Sequence, residues 1–352
     1  MLDAMDPAFV ARHAAFVRGN RCFVLGAGFS AAAGVPLTGP LLAAAMSLFR
    51  TESPGLYARL EGYAREAFVA PSTTGEHLDF SKLSFADFCT FLEFIELREF
   101  GGGERWSDAG SREKLALKFY IAKTIVQATP TTQTVPELYK RFAEQLQPYD
   151  IVITYNWDCL LEAAFDAIGK PYAYIPREGA ITIAKLHGSV NWRLGEPRQR
   201  NLDWPAFGFA SGMMTTEVYH SGLLRVPVSW EGTLPLAEIE PLIVLPGAGK
   251  AFDVRSIAPL WYKPEWAFGL SHDIFILGLS LTPDDFFIRS FFLANLPYVE
   301  SYSGVPGRQI HIVNPDPAVR TNYSFLLGQG NLHYHCEPFG ESHLALMKPP
   351  PV

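Results

Sequence analysis

Arg21-Cys-Phe-Val-Leu25, followed at once by Gly26-Ala-Gly28-Phe-Ser30-Ala-Ala-Ala-Gly34-Val-Pro36, is the stretch that decides the fold. Cys22 to Leu25 form a short apolar run ended by glycine, the pattern of a strand buried on both faces. Glycines let a main chain approach another group closely. A helix that starts just after such a turn offers unpaired N–H groups to an anion such as a pyrophosphate. Taken alone, Gly26-x-Gly28-x-x-Ala31 is a weak motif, which fits a tight strand–helix turn without a ligand as well as it fits a dehydrogenase. A dehydrogenase continues into a second strand with an acidic residue about 20 positions on. Here Gly34-Val-Pro36 breaks the chain, and helical sequence runs on past Glu52.

Outward from this point, strands and helices alternate. Asp150-Ile-Val-Ile-Thr154 reads as a strand, Trp157–Ile168 as a helix stopped by Gly169, and Ile181–Leu186 as another strand. Pro241–Leu245, Asp273–Leu277 and Gln309–Val313 are short apolar runs ending before small or turn residues, and Asp284–Leu296 reads as a helix whose N-terminus Asp284 and Asp285 charge. The expected fold class is α/β: a Rossmann-like parallel sheet covered by helices. A short helix is expected at residues 6–18. Two stretches interrupt the alternation. Residues 38–146 are helical throughout in this reading: Thr38 and Pro40 open one helix, Ser84 and Asp87 resemble a capping box before Phe88–Phe100, and Glu113–Ala128 has apolar positions three and four apart. Residues 193–240, rich in Pro, Gly and Trp, show little period. The expectation is therefore one domain over residues 1–352, with a helical insertion at 38–146 and an irregular one at 193–240.

Composition limits the function classes. Of 352 residues, 48% are hydrophobic and 18% charged, which excludes a disordered tail protein or a coiled coil. Against 36 acidic side chains stand 29 basic ones, a net charge of −7 that argues against broad electrostatic binding to nucleic acid or an anionic membrane. Stretches such as Leu41–Phe49 fall far short of the roughly 20 apolar residues that span a bilayer. The first residues, MLDAMDPAF, lack the pattern of a signal peptide. Cys22, Cys89, Cys159 and Cys336 form no CxxC pair, so the chain reads as cytoplasmic, with its thiols as small core residues. Arg193, Arg198 and Arg200 read as a solvated loop. Phe85, Phe88, Phe91 and Phe94 recur every three residues, a helical face for core or subunit packing.

In a parallel α/β sheet ligands bind beyond the carboxyl ends of the strands. Polar residues stand at these ends here. The first strand is followed by Gly26–Ser30, the second by Thr154-Tyr-Asn156-Trp-Asp158, and the third by Lys185-Leu-His187-Gly188-Ser189. Later runs are followed by Gly278-Leu-Ser280-Leu281 and by Asn314-Pro315. Singly, an Asn or Asp there caps the next helix and a lone His belongs to the core. Five polar strand ends in order are harder to explain that way.

This ordered set resembles the sirtuin superfamily. GAGFSAAAGVP (26–36) is similar to its GAGxSxxxGIP loop, TYNWD (154–158) to its TxNxD segment, KLHGS (185–189) to its His-Gly motif, GLSL (278–281) to its GTSL loop, and HIVNPDP (311–317) to its Ile-Asn segment. The departures are as informative. The superfamily's deacylases follow GIP with Asp-Phe-Arg, where this chain has Leu37-Thr-Gly39, and they carry two CxxC pairs for zinc where residues 188–277 hold no cysteine. His333, His335 and Cys336, on an expected strand, offer too few ligands on one face for a zinc site. With its long helical segment and Phe85-Ala-Asp-Phe-Cys-Thr-Phe-Leu-Glu93, the chain looks like the zinc-free sirtuin-like proteins of prokaryotic antiphage defence.

That resemblance implies an NAD hydrolase acting on the nicotinamide–ribose bond. It implies His187 as general base, Asn156 to orient the ribose and the attacking water, and Asp158 to bond the nicotinamide carboxamide. It further implies NAD contacts from Gly26, Ala27, Gly28, Phe29, Ser30, Pro36 and Gly278, with Ser280 and Asn314 on the adenosine ribose. NAD is then substrate, no zinc is expected, and the chain is an NAD-depleting effector. It is expected to form a homo-oligomer and to answer to a separately encoded partner, an ATPase or an Argonaute-like protein, without touching nucleic acid or membrane itself. A protein deacylase and a non-catalytic NAD- or ADP-ribose-sensing module are the alternatives.

Overall fold

β1 (Arg21–Leu25) is buried along its whole length because it is the middle strand of a seven-stranded sheet. The computed structural model describes residues 21–68, 78–97, 111–174, 178–194, 241–248, 271–282, 285–295, 308–327 and 331–348, with short pieces at 198–199, 214–215, 218–220 and between 250 and 269. The helix expected at 6–18, Arg200 and most of 193–240 lie outside the described residues. The chain packs as two compact units. The first comprises Met1–Val35, Thr129–Leu186 and Ala258–Val352, and the second Pro36–Ala128 and His187–Ile257.

The first unit holds the sheet. Its strands are β1, β2 (Ile151–Thr154), β3 (Tyr172–Ala173), β4 (Ile181–Lys185), β10 (Asp273–Leu277), β11 (Gln309–Val313) and β12 (Leu332–His335), in the order β12-β11-β10-β1-β2-β4-β3. Every pair is parallel, as the Rossmann-like reading requires. Neighbouring side chains along a strand point to opposite faces, so each strand feeds two cores. Phe23, Leu25, Val152, Ile183 and Phe275 pack on one face with α6 (Glu137–Gln145) and α7 (Leu160–Ile168). Cys22, Val24, Ile153, Ala184 and Ile276 pack on the other with α8 (Phe286–Asn295) and α9 (Val319–Leu327). The first strand leads into α1 (Ala27–Ala31), and α10 (Glu341–Leu344) closes the described chain. In-register pairing stacks Phe23 on Phe275, Phe275 on His311 and His311 on His333, a ladder of rings across four strands with centroids 5.1, 5.1 and 4.8 Å apart.

The second unit joins helices to a small antiparallel sheet. α2 (Thr38–Glu52), α3 (Pro54–Phe68), α4 (Phe85–Leu97) and α5 (Ser111–Ala128) carry its core, in which Phe49 stacks on Tyr120 with ring centroids 4.4 Å apart. Ser84 Oγ accepts the N–H of Asp87, so the expected cap forms. Of the aromatic face, Phe85 and Phe88 are buried while Phe94 is half exposed. β5 (Gly188–Leu194) pairs antiparallel with β8 (Val218–His220) and β9 (Pro241–Ile243), and β6 (Arg198–Gln199) pairs with β7 (Met214–Thr215).

Several expectations need correction. The 241–245 run joins an antiparallel sheet of the second unit, not the parallel one, because a short apolar run is equally compatible with either. β5 reaches into the stretch read as irregular. The helix expected from Trp157 begins at Leu160, because the Asp158 side chain accepts Leu160 N–H at 3.0 Å and keeps 156–158 out of the helix. The parallel sheet and its helices make one unit and Pro36–Ala128 belongs to another, whereas α6, inside the 38–146 segment, packs with the sheet through Tyr139 and Phe142. Cys22, Cys89 and Cys159 are buried, but Cys336 is exposed, since it directly follows the last residue of an edge strand.

Candidate active site

The chain leaves β1 toward one edge of the sheet and β10 toward the other, so β1 and β10 flank the topological switch point. The loops after them touch through glycine. Gly26 N–H donates to Leu277 O at 3.0 Å and Gly28 N–H to Gly278 O at 2.9 Å. Gly278 has φ +65°, and a Cβ on it would sit 2.1 Å from Phe29 N. A Cβ on Gly26 would fall 2.6 Å from Gly278 O, and one on Gly28 2.9 Å from Gly278 Cα. No other residue fits this crossing. The amides of Gly26, Gly28 and Phe29, the last bonded to Gly26 O at 2.9 Å, are thus used inside the protein, and a phosphate at this loop must rest on other donors.

Asn156, at the carboxyl end of β2, is brought onto the same loop. Its Nδ2 donates to Gly26 O at 2.9 Å and to Ser30 Oγ at 3.2 Å, and its own N–H donates to Thr154 Oγ1 at 3.0 Å. With both amide hydrogens taken, the side-chain carbonyl is the face Asn156 turns elsewhere. Ser30, itself buried, lies beside the Asp158 carboxyl and favours its charged form. Burial pushes that carboxyl above the usual range; the Lys185 ammonium and the Leu160 N–H pull it down, and Glu162 pushes it up again.

Lys185, the last residue of β4, is 1% exposed. Its Nζ donates to the main-chain oxygen of Asp158 and to Glu162 Oε1, the latter at 2.9 Å. Tyr174 donates its hydroxyl to the same Glu162 oxygen at 3.1 Å. Burial works against the ammonium, but Glu162, Cys159 and Asp158 outweigh it and hold its pKa above the ordinary value. Lys185 and Glu162 had no assigned role in the sequence reading. The signal was Glu162 inside Leu160-Leu-Glu-Ala-Ala-Phe165, a carboxylate on a wholly buried stretch of helix that must have a partner.

Ser280 and Asn314 stand beyond β10 and β11. The loop from Gly278 includes Leu281, a buried non-glycine residue at φ +50°. α9 holds it there: Tyr323 donates to Leu279 O and Asn322 Nδ2 to Ser280 O, each at 3.1 Å. A strained backbone persists only where its surroundings over-determine it. Asn314 Oδ1 accepts Asp316 N–H at 3.0 Å, shaping the turn into α9, so its carbonyl is occupied.

His187 and Pro36 belong to the second unit. His187 is buried, and its main-chain oxygen accepts Val244 N–H at 2.9 Å. Burial, helped by the Lys250 ammonium, holds its imidazole well below the ordinary pKa, so it is neutral at pH 7. Gly188 follows with φ +76°, and a Cβ on it would meet Leu242 O at 2.0 Å, so β9 packing demands the glycine of the His-Gly pair. Pro36 lies half-buried in the turn before α2. Among the described residues no group of three or more His, Cys, Asp or Glu is arranged to hold a metal ion, and no helix is long and apolar enough to cross a membrane. His333 and His335 do share one face of β12, facing His311.

No protein family and no curated protein matches the sequence. Solved structures do. A structure described as a Sir2 homolog–NAD complex is 16% identical, covering 98% of this chain and 93% of that one, with a TM-score of 0.39. Sir2Tm bound to a propionylated peptide is 15% identical over 96% of this chain and 95% of its own, with a TM-score of 0.36. A structure on the basis of sirtuin substrate affinity is 16% identical over 93% and 92%, with a TM-score of 0.36. These scores are low, and the α/β assignment stands on the strand order and register above.

Proposed function

We propose that the chain is an NAD hydrolase that cleaves the nicotinamide–ribose bond to give nicotinamide and ADP-ribose. The observation that carries this reading is the pinned amide of Asn156: both of its N–H bonds are held by Gly26 and Ser30, so its carbonyl is fixed as an acceptor at the switch point of the sheet, beside the buried carboxyl of Asp158. An acceptor held in place suits the positioning of a ribose hydroxyl or a water. In the reaction the C1′–N bond breaks and its electron pair goes to the pyridinium nitrogen, releasing neutral nicotinamide. The oxocarbenium-like sugar is captured by water, whose proton leaves to a base. His187, kept neutral, is the base in this reading, and Asp158 bonds the carboxamide of the leaving group. Gly26, Ala27, Phe29, Ser30, Gly278, Ser280, Asn314 and Pro36 complete the proposed NAD contacts; Gly28 serves by its close approach rather than by its amide.

The test is nicotinamide release from NAD, with and without an acetylated peptide. Release independent of the peptide is expected; peptide-dependent release points to a deacylase, and NAD binding without release to a sensing module. His187→Ala and Asn156→Ala should each lower the rate by about 10²–10⁴-fold while thermal unfolding stays cooperative. Near-normal turnover in both variants sinks the assignment.

An NAD-consuming enzyme must be held off until it is needed. We therefore also propose a regulated, NAD-depleting effector of antiphage defence. Control would come from a homo-oligomer and a separately encoded partner, in line with the sequence resemblance and the half-exposed Phe94 on α4. Light scattering beside turnover across concentration checks this; a strictly monomeric, fully active chain contradicts it.

A further inference from the structure

Asp158, Glu162 and Lys185 put two carboxylates and one ammonium into a site where none is more than 7% exposed. Replacing buried ion pairs by well-packed apolar groups is often neutral or stabilising, so stability alone does not explain their presence. Their arrangement is asymmetric. The ammonium is bonded directly to Glu162 but reaches Asp158 only through its main-chain oxygen. The Asp158 carboxyl accepts the Leu160 N–H at 3.0 Å, with the Ser30 hydroxyl beside it.

We propose that the buried Lys185–Glu162 pair is a positioning and charge-setting device for Asp158: it fixes the main chain that carries this carboxyl and leaves one surplus negative charge there. The ammonium ties the end of β4 to the loop between β2 and α7, and Tyr174 fixes the Glu162 oxygen that receives it. With Glu162 balanced by Lys185, the surplus resides on Asp158. A surplus negative charge in a water-poor site favours a ligand that is cationic at its reacting end, and the charge that develops on the sugar as the bond breaks. That catalytic meaning rests on the hydrolase reading above, whereas the charge balance belongs to the ligand-free protein. The other titratable groups of the unit that face this cluster are Tyr139 from α6, whose hydroxyl donates to Phe29 O at 2.8 Å, Cys159 ahead of α7, Asp166 farther along α7 and Tyr172 from β3, the last two acting on Glu162.

The test follows the Asp158 carboxyl by carbon NMR in the ligand-free full chain, using selectively labelled aspartate, and nicotinamide release across pH beside it. Glu162→Gln removes a negative charge and should move the Asp158 midpoint down by about one pH unit; Lys185→Met removes the positive charge and should move it up by a similar amount. The double variant Lys185→Met/Glu162→Gln keeps the surplus charge and should return the midpoint to the wild-type value, which a purely structural role does not predict. Should Lys185→Met alone fail to fold, Glu162→Gln and the double variant still carry the comparison. The acid limb of nicotinamide release should move in the same senses. Shifted carboxyls without nicotinamide release in any form support this proposal and overturn the hydrolase reading instead. Coincident midpoints in Glu162→Gln and wild type, with release intact, overturn this proposal alone.

Discussion

The two ends of the parallel sheet both bury charge, and they do so differently. At the amino end Arg21, the first residue of β1, meets Asp150, which directly precedes β2, and each is 2% exposed. The guanidinium makes four hydrogen bonds: two to the Asp150 carboxylate, one to Gln145 O and one to Met347 O. Asp150 also accepts Gln147 N–H at 2.7 Å. Guanidinium and carboxylate meet in a bidentate geometry, and the Lys170 ammonium lies near enough to feel both charges. At the carboxyl end Lys185 bonds the Glu162 carboxylate but reaches Asp158 only through its main-chain oxygen, so a second carboxyl lies beside the pair without a direct bond to the ammonium. The bidentate pair belongs to the fold, whereas the cluster at the strand ends is the one we propose to serve a ligand.

The largest expected effect tests that division. Arg21→Met leaves the buried Asp150 carboxylate without its guanidinium, keeping the Gln147 N–H, and should cost about 3–5 kcal/mol in urea unfolding, while nicotinamide release per folded molecule is unchanged. Asn156→Ala should do the reverse, lowering release by about 10²–10⁴-fold at a stability cost of about 1 kcal/mol. A loss of turnover in folded Arg21→Met would erase the contrast.

A smaller effect is expected at the crossing of the loops. Gly278→Ala drives a methyl against Phe29 N, and both the positive φ and the contact oppose it. It should cost about 2 kcal/mol or more in unfolding and weaken NAD binding in a titration, because it separates the β1 and β10 loops. A wild-type melting temperature would show that these loops have room to part.

The smallest effect concerns pH, and it sharpens the picture of the sheet edge. Burial, with His333 and His335 alongside, pulls His311 down to about 4, against the pull of Asp273, and burial also lowers His335. Because the folded pKa lies below the unfolded value of 6.5, the unfolded chain takes up the proton first. The stability contributed by neutral His311 is therefore whole above 6.5 and declines as pH falls toward about 4. The urea midpoint should fall over this window, and less steeply in His311→Phe, which extends the Phe23–Phe275 stack with a ring that does not titrate. An equally steep fall in the variant would remove His311 from the account.

How much was legible in the sequence follows from which interactions are local. Cys22–Leu25 and Ile151–Thr154 announce buried parallel strands because they must be apolar on both faces, and the polar residues after the strands mark the candidate site because that is where such a sheet binds. Gly169 and the Ser84 cap were readable for the same reason, since a helix end is settled within a few residues. The partner of an apolar run is not local. Pro241–Ile243 has the composition of a central parallel strand, yet its register with β5 makes it antiparallel. Glu162 and Lys185 lie 23 positions apart, and only the packing of α7 on the sheet reveals them as one pair. The sequence by itself therefore determined the class of fold, most of the strands of its parallel sheet and the side chains at their carboxyl ends, all consequences of periodicity and turn chemistry. The tertiary structure alone decided that two glycine loops interlock, that Asn156 hydrogen-bonds Gly26 and Ser30, and that one end of the sheet buries a bidentate guanidinium–carboxylate pair while the other buries an ammonium between a carboxylate and a main-chain oxygen. These depend on distances between groups far apart in the chain, which no local pattern encodes.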